Sequence, residues 1–383
     1  MPRFNVRTAY EKEKDQPFFS RSSKDQLASW RLSGIQGPRF EQWYFDSVSN
    51  DGESSFSLIF ARDASYAALG QGHLRMEFDA VLPDGSRFRH AEFMSEAALE
   101  DSTQDVVGSD VGRVRGIWTA PGTKYGLSIK ADGSIASADF QGARVRGSFR
   151  LRSTAPPHYP NGLTHSQAGT STSTELCPKI NLVEVIPSGV FECDVVLDGK
   201  ALKFTGIGGH MHIWAEDSWF STVREWRMCR AVAGPYSFSF MQWVSQVDGR
   251  TYSSGFVAER GEKAFGALEV HKGKDKAPDM DDSKVKVRWT PIHNVGVSGA
   301  HADKSSGAVV HFQADKEFRF ELTFRQLAIS VNFGGGHSGL SVFHCHVSGG
   351  DIDEGWVKVY FFAMMILAKL TFGYIDVLGN GYM

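Results

Sequence analysis

Five Asp-Gly pairs, spaced along the chain between β-forming segments, constrain what this sequence can fold into more than any other feature. Asp51-Gly52, Asp84-Gly85, Asp132-Gly133, Asp198-Gly199 and Asp248-Gly249 each lie between runs rich in Val, Ile, Phe and Tyr. Asp and Gly tolerate the positive φ that tight hairpin turns demand. The pattern predicts an all-β protein with antiparallel, meander connectivity. Segments 54–60, 144–152 and 317–324 support it with period-two patterning, and in the last two apolar residues alternate cleanly with charged or polar ones. Sustained helical periodicity is scarce.

The chain has 383 residues, enough for two domains. A Pro-, Gly-, Ser- and Thr-rich stretch from Ser153 to Thr174 is too polar for a core strand and reads as a linker. It predicts a β-rich domain over 1–180 and a second over 181–383. A mixed-charge stretch, 271–284, reads as a solvated loop. The apolar run 359–368 is too short for a bilayer span, which needs about 20 such residues. A helix or strand packed on the core is its first reading, and an oligomer contact the second.

Net charge of −3 and the lack of a basic stripe argue against a nucleic-acid partner. The N-terminus is charged where a secretion signal needs an apolar core, and no Asn-x-Ser/Thr site occurs, so a cytoplasmic protein is expected. The four cysteines have no CxxC spacing and read as reduced and structural, with a Cys177–Cys193 bridge as the alternative. Gly206-x-Gly208 has Met211 where a dinucleotide fingerprint needs glycine, and Gly336-His-Ser-Gly339 is not a nucleophile elbow. No cofactor is expected.

What remains looks like a ligand chamber. Thr205-Gly-Ile-Gly-Gly-His-Met-His-Ile-Trp214 combines close-approach glycines with His210 and His212, and a wall of aromatics and Met follows. Such a mixture suits a large apolar small molecule with one or two polar handles. Trp214, Trp226, Tyr236, Met241 and Trp243 are assigned to that wall, with a plain hydrophobic core as the alternative for the aromatic stripe. In Glu41-Gln-Trp-Tyr-Phe-Asp46, an extended strand puts Glu41 and Trp43 on one face and Tyr44 and Asp46 on the other. Glu41 is read as an acid or an anchor, with a strand whose charges reach solvent or pair with Arg62 as the alternative; Trp43 and Tyr44 join the binding set. His337 follows three glycines that let its ring approach a ligand. The pairs His210/His212 and His344/His346 lack a third ligand at fixed spacing, so no metal is expected.

Several of these stretches, in order, resemble the fungal lipocalin-like Diels–Alderases of the carotenoid hydratase-like group. They are 41–46 with Asn50-Asp-Gly; Ala61-Arg-Asp-Ala64; Val81-Leu-Pro-Asp-Gly85; Leu176-Cys-Pro178; Phe204–Gly209 with Trp214; and Val232-Ala-Gly-Pro-Tyr236. They cover most of residues 40–245, and the C-terminal tail matches poorly. The resemblance implies a β-sandwich-like first domain, a lipocalin-like β-barrel second domain and a reactive chamber between them. It implies a pericyclase forming two carbon–carbon bonds by intramolecular [4+2] cycloaddition of a polyketide-derived polyene. Decalin-forming members have Asn where this chain has Asp79, Tyr where it has Ala61, and Lys aligned with His337. Those departures imply a retuned substrate. Glu41, Asp79, His210 and His337 are the expected catalytic polar groups. A non-catalytic carrier of an apolar metabolite, and a hydratase or cationic cyclase using Asp46 or Glu41 as acid, are the competing readings.

Overall fold

A computed structural model describes residues 7–8, 27–29, 31–32, 39–63, 73–102, 112–169, 172–271, 286–294, 296, 304–334, 338–351 and 361–369. All five Asp-Gly pairs join consecutive antiparallel strands. The first sheet holds β1 (Arg7–Thr8), β2 (Phe40–Ser49), β3 (Ser55–Asp63), β4 (Leu74–Val81), β5 (Arg87–Phe93), β6 (Glu96–Ser102) and β7 (Arg113–Ala120). It continues with β8 (Thr123–Lys130), β9 (Ile135–Gln141), β10 (Val145–Ser153), β11 (Glu175–Cys177), β12 (Ile180–Leu197) and β13 (Lys200–Ala215). At the β12–β13 turn Asp198 and Gly199 both take positive φ, 48° and 82°, as a two-residue hairpin turn requires.

After a one-turn helix, α1 (Trp219–Thr222), the chain enters a second sheet. This contains β14 (Val223–Ala233), β15 (Tyr236–Ser245), β16 (Thr251–Glu259), β17 (Glu262–His271), β18 (Val287–Ile292), β19 (Gly307–Gln313), β20 (Glu317–Gly334), β21 (Ser338–Asp351) and β22 (Phe361–Lys369). β22 takes up most of the apolar C-terminal run and is paired on both sides, by β14 and β21. Its backbone is therefore used inside the sheet, and an oligomer contact through it has no support. The polar stretch 272–285 and His337 lie outside the described residues. No helix among those described is long and apolar enough to cross a membrane.

Both sheets curl. Only Met94 and Ser95 separate β5, at one edge of the first sheet, from β6, next to the other edge, so the edges must approach. Tyr125 Oη–H and Thr123 Oγ1–H on β8 donate to the two oxygens of Glu92 on β5, at 2.6 and 2.8 Å, and help hold the curl. Inside lies a core that includes Trp43, Phe45, Phe60, Trp118, Phe149 and Trp214. The second sheet closes in the same way around Phe238, Phe240, Phe312, Phe320 and Phe343. A third apolar cluster fills the seam between the sheets.

That seam explains why β2 and β13 fail to alternate in hydropathy. One face of each covers the first core and the other covers the seam, so every residue of β2 but Gln42 is buried. On β8, whose outer face meets solvent, burial alternates as the simple rule demands.

The change of sheet falls between Ala215 and Val223, later than the boundary expected at 180, because β12 and β13 belong to the first sheet. The polar stretch from Ser153 is not a free linker where it is described. His158 exchanges backbone hydrogen bonds with Glu184 of β12, both 3.0 Å, and its ring stacks on Phe256 of β16 at 4.0 Å. Ser254 Oγ–H donates to Pro160 O at 2.6 Å. The loop thus packs against both sheets. All four cysteines are buried free thiols.

Candidate active site

Cross-strand register sorts the expected site residues onto two faces. Glu41, Trp43 and Phe45 of β2 stand opposite Trp214, His212 and His210 of β13, and paired residues share a face. All six side chains point into the first core, away from the second sheet. Tyr44 stands opposite Met211 and Asp46 opposite Gly209, and these face the seam. On the second sheet Trp226 pairs with Trp243, and Met228 with Met241, also facing the seam. Tyr236 belongs to the second sheet's own core.

In the first core the polar groups fasten a segment N-terminal to β2. Glu41 Oε1 accepts from the Arg31 backbone N–H at 2.6 Å and lies 3.0 Å from His212 Nε2. His212 Nδ1 sits 3.1 Å from Leu27 O, and Trp43 Nε1–H donates to Ala28 O at 2.8 Å. Both nitrogens of His212 face acceptors, so one hydrogen lies between Nε2 and Glu41 Oε1. The Arg31 guanidinium lies 5.0 Å from the Trp214 ring centroid. His210 Nδ1–H donates to Tyr44 O at 3.0 Å and its ring stacks on Phe45 at 4.1 Å. Burial pushes its pKa down to about 3, so the ring is neutral.

The seam carries a different polar group. Arg230 of β14 reaches across to two carboxylates of the first sheet, Asp46 on β2 and Glu184 on β12; its Nη1 pairs with Asp46 and its Nη2 lies 2.7 Å from Glu184 Oε2. All three side chains are at most 5% exposed, and so removed from bulk water. Two carboxylates share one cation in a dry setting, which favours retention of a proton. Burial accordingly raises the pKa of Asp46, against the pull of Arg230. Burial lifts Glu184 to about 7, with Arg230 opposing and Asp46 adding. Burial also raises Tyr44 well above a normal phenol, so its hydroxyl keeps its hydrogen. Asp79, on the seam side of β4 opposite Ser57 of β3, is pushed up to about 6, mainly by burial, with Arg89 opposing.

His344 on β21 faces the seam through the same alternation that sends Phe343 and Cys345 into the second core. Its Nδ1–H donates to Gly52 O at 2.9 Å, which fixes the tautomer, and burial pushes its pKa down to about 4. The two His-x-His pairs do not converge, and the described residues contain no cluster of three or more His, Cys, Asp or Glu able to hold a metal.

Glu184, Arg230 and His158 are not singled out by any sequence motif. A signal is present nonetheless: each of the first two is the one charge in a short apolar run within its strand, Leu182-Val-Glu-Val-Ile186 and Met228-Cys-Arg-Ala-Val232. A charge in such a run needs a partner on a facing element. The glycines read as making room for a ligand make room for protein. A Cβ on Gly209 would lie 2.5 Å from Arg230 Cζ and nearer still to Nε and Cδ, and one on Gly208 would lie 2.5 Å from Asp46 O.

The apolar part of the seam is adaptable. Met211, Met228 and Met241 line it beside Trp226, Trp243 and Tyr44. Unbranched thioether side chains repack around a guest more readily than branched ones. The seam therefore combines a yielding wall, indole and phenol surfaces, and a phenol hydroxyl that keeps its hydrogen in a low-dielectric setting.

Comparison with known proteins gives this arrangement a context. The sequence model of the Diels-Alderase-like family matches residues 2–367, well beyond the 40–245 in which the resemblance is legible and through most of the tail. Diels-Alderase ucsH of Acremonium sp is 42% identical, over 99% of this chain and 99% of its own. Hexane cyclase xenF of Xenoacremonium sinensis is 31% identical, over 90% of this chain and 77% of its own. The crystal structure of CghA with Sch210972 superposes with a TM-score of 0.72 at 22% identity, covering 93% of this chain and 97% of that one.

Proposed function

The chain belongs to the Diels-Alderase-like family and is an enzyme, and from that premise we propose that it closes a polyketide-derived polyene by intramolecular [4+2] cycloaddition in the seam between its two sheets. The observation that carries this reading is the end-to-end 42% identity to a protein named as a Diels-Alderase. The composition of the seam supports it. A cycloaddition needs no nucleophile and no net proton transfer; it needs the diene and dienophile held in contact. Because the diene and dienophile are already tethered, what the protein can remove is the entropy of freezing the internal rotors of the chain and the cost of reaching a near-attack shape. The aromatic and methionine wall supplies the mould.

Tyr44 is the hydrogen-bond donor of choice for a carbonyl conjugated to the dienophile, because its buried hydroxyl remains protonated. Asp79 stands at the same wall as an orienting group, and His337 keeps the role that the family resemblance implies for it. Trp226, Met241 and Trp243 shape the substrate. We assign Glu41, Trp43, His210, His212 and Trp214 to holding the first core, with Leu27, Ala28 and Arg31 fastened against it.

Incubation of the purified protein with the linear polyene precursor tests the reading. Accelerated formation of one stereoisomer is expected; a rate and product ratio equal to those in buffer would sink it. The hexane cyclase relatives favour a second ring-closing reading within the same seam. Product structure separates the two, and catalytic turnover separates both from a carrier that releases its ligand unchanged.

A further inference from the structure

We propose that Arg230 is a positioning residue for the reaction: its paired ionic bonds to Asp46 and Glu184 set the distance between the two walls of the seam, and with it the shape into which the substrate folds. This rests on the seam being the reaction chamber.

Among the described residues, this is a buried cation of the second sheet that binds acidic side chains of two different strands of the first sheet, β2 and β12. A planar guanidinium holding two carboxylates fixes orientation as well as distance. Its seat is built from below by Gly209, where any Cβ would collide with the guanidinium. A cavity of about 10 Å³ beside it, lined in part by Asp46, Ser188, Gly208 and Arg230, is about the size of one water.

Stability gives little reason for such a cluster. Buried ion triads lose so much hydration that apolar replacements of similar volume often fold equally well. Position gives a better reason. Met228 lies two residues before Arg230 on the same face of β14, and Tyr44 two residues before Asp46 on β2. Two residues along a strand span about 7 Å. The clamp is therefore one side-chain step from the methionine wall on one side and from the proposed donor on the other. The methionines yield; the clamp does not. It converts a soft apolar seam into one of defined width.

Two variants of the full-length protein test this, with kcat, KM, stereoisomer ratio and urea midpoint measured on each. Arg230→Lys keeps the charge but lacks the fork, so it holds one carboxylate firmly rather than both. The triple variant Asp46→Asn/Glu184→Gln/Arg230→Met removes all three charges together, which avoids stranding a buried ion. A misplacement of about 1 Å lowers kcat about 100-fold. The triple variant should show a loss on that scale with KM little changed and the stereoisomer ratio eroded. Arg230→Lys should retain most of the stability but not the ratio. If either variant that folds keeps the wild-type kcat and ratio, whatever its midpoint, the clamp is only structural and the proposal is overturned. Should the triple variant not fold, the ratio from Arg230→Lys decides alone. Wild-type turnover is the control: without it the cycloaddition reading itself fails, and this inference goes with it.

Discussion

Adding one methyl group at Gly209 should disrupt the seam from beneath. The Cβ of Gly209→Ala would lie 2.5 Å from Arg230 Cζ, closer than any real carbon contact, so the guanidinium or the strand must move. The guanidinium is held on two sides, by Asp46 and by Glu184 at 2.7 Å. Losing one such charge-assisted bond costs about 1.5–3 kcal/mol, and stranding a buried charge about 3–5 kcal/mol. Alanine in a strand returns about 0.5–1 kcal/mol relative to glycine. The net expectation is a loss of about 2–4 kcal/mol in urea unfolding. The cause is read from a double-mutant cycle. In the background Asp46→Asn/Glu184→Gln/Arg230→Ala the side chain above Gly209 is gone, and Gly209→Ala should be neutral or slightly stabilising. Equal destabilisation in the two backgrounds would refute the reasoning and assign the glycine to the β13 backbone instead.

Three further outcomes are expected. Because Glu184 titrates near 7 in the folded chain against an ordinary 4.5, the folded state binds more protons across that window, so stability should fall by on the order of 3 kcal/mol as pH rises through it. Asp79, raised from 3.8 to about 6, adds the same sign lower down; Glu184→Gln should flatten the slope of urea stability between pH 6 and 7, and an unchanged slope would remove Glu184 as its source. Trp214→Ala should lower stability by about 3–5 kcal/mol while the stereoisomer ratio of the product stays as in the wild type, because the indole is fully buried in the first core; a changed ratio with little loss of stability would return Trp214 to the chamber. Met241→Ala, on the seam face, should change the ratio and raise KM, and product analysis by chiral chromatography checks it.

The candidate site is partly legible in the amino-acid sequence. The stretch 205–214 and the aromatic and Met run after it are recognisable as a place where elements crowd, and Tyr44, Met241, Trp226 and Trp243 do meet across the seam. Which histidine or tryptophan faces which cavity is not legible there. When a strand is buried on both sides, hydropathy no longer reports its faces, and β2 and β13 are buried on both sides. Glu41 and Asp46 lie five residues apart on one strand, yet one meets His212 in a closed core and the other meets Arg230 from the opposite sheet. The pairing of Asp46 and Glu184 with Arg230 spans 184 and 46 residues of sequence, and no local pattern encodes a partner at that distance.

The all-β class, the antiparallel order and the hairpin positions were determined by the sequence alone, because they are local. The glycine of every Asp-Gly pair takes positive φ at its turn, joined by Asp198 alone among the five aspartates, and the five turns separate the segments that pair as neighbours. The allocation of strands to sheets was decided by tertiary structure. β12 and β13 follow a polar stretch that reads as a divider, yet they pair back onto β10 and β2, and the divider packs against both sheets. The seam itself exists only once two curled sheets are brought face to face. Its width, its buried charges and the raised pKa values of its carboxylates come from desolvation and from partners on other strands, and neither can be read from a residue and its neighbours in the chain.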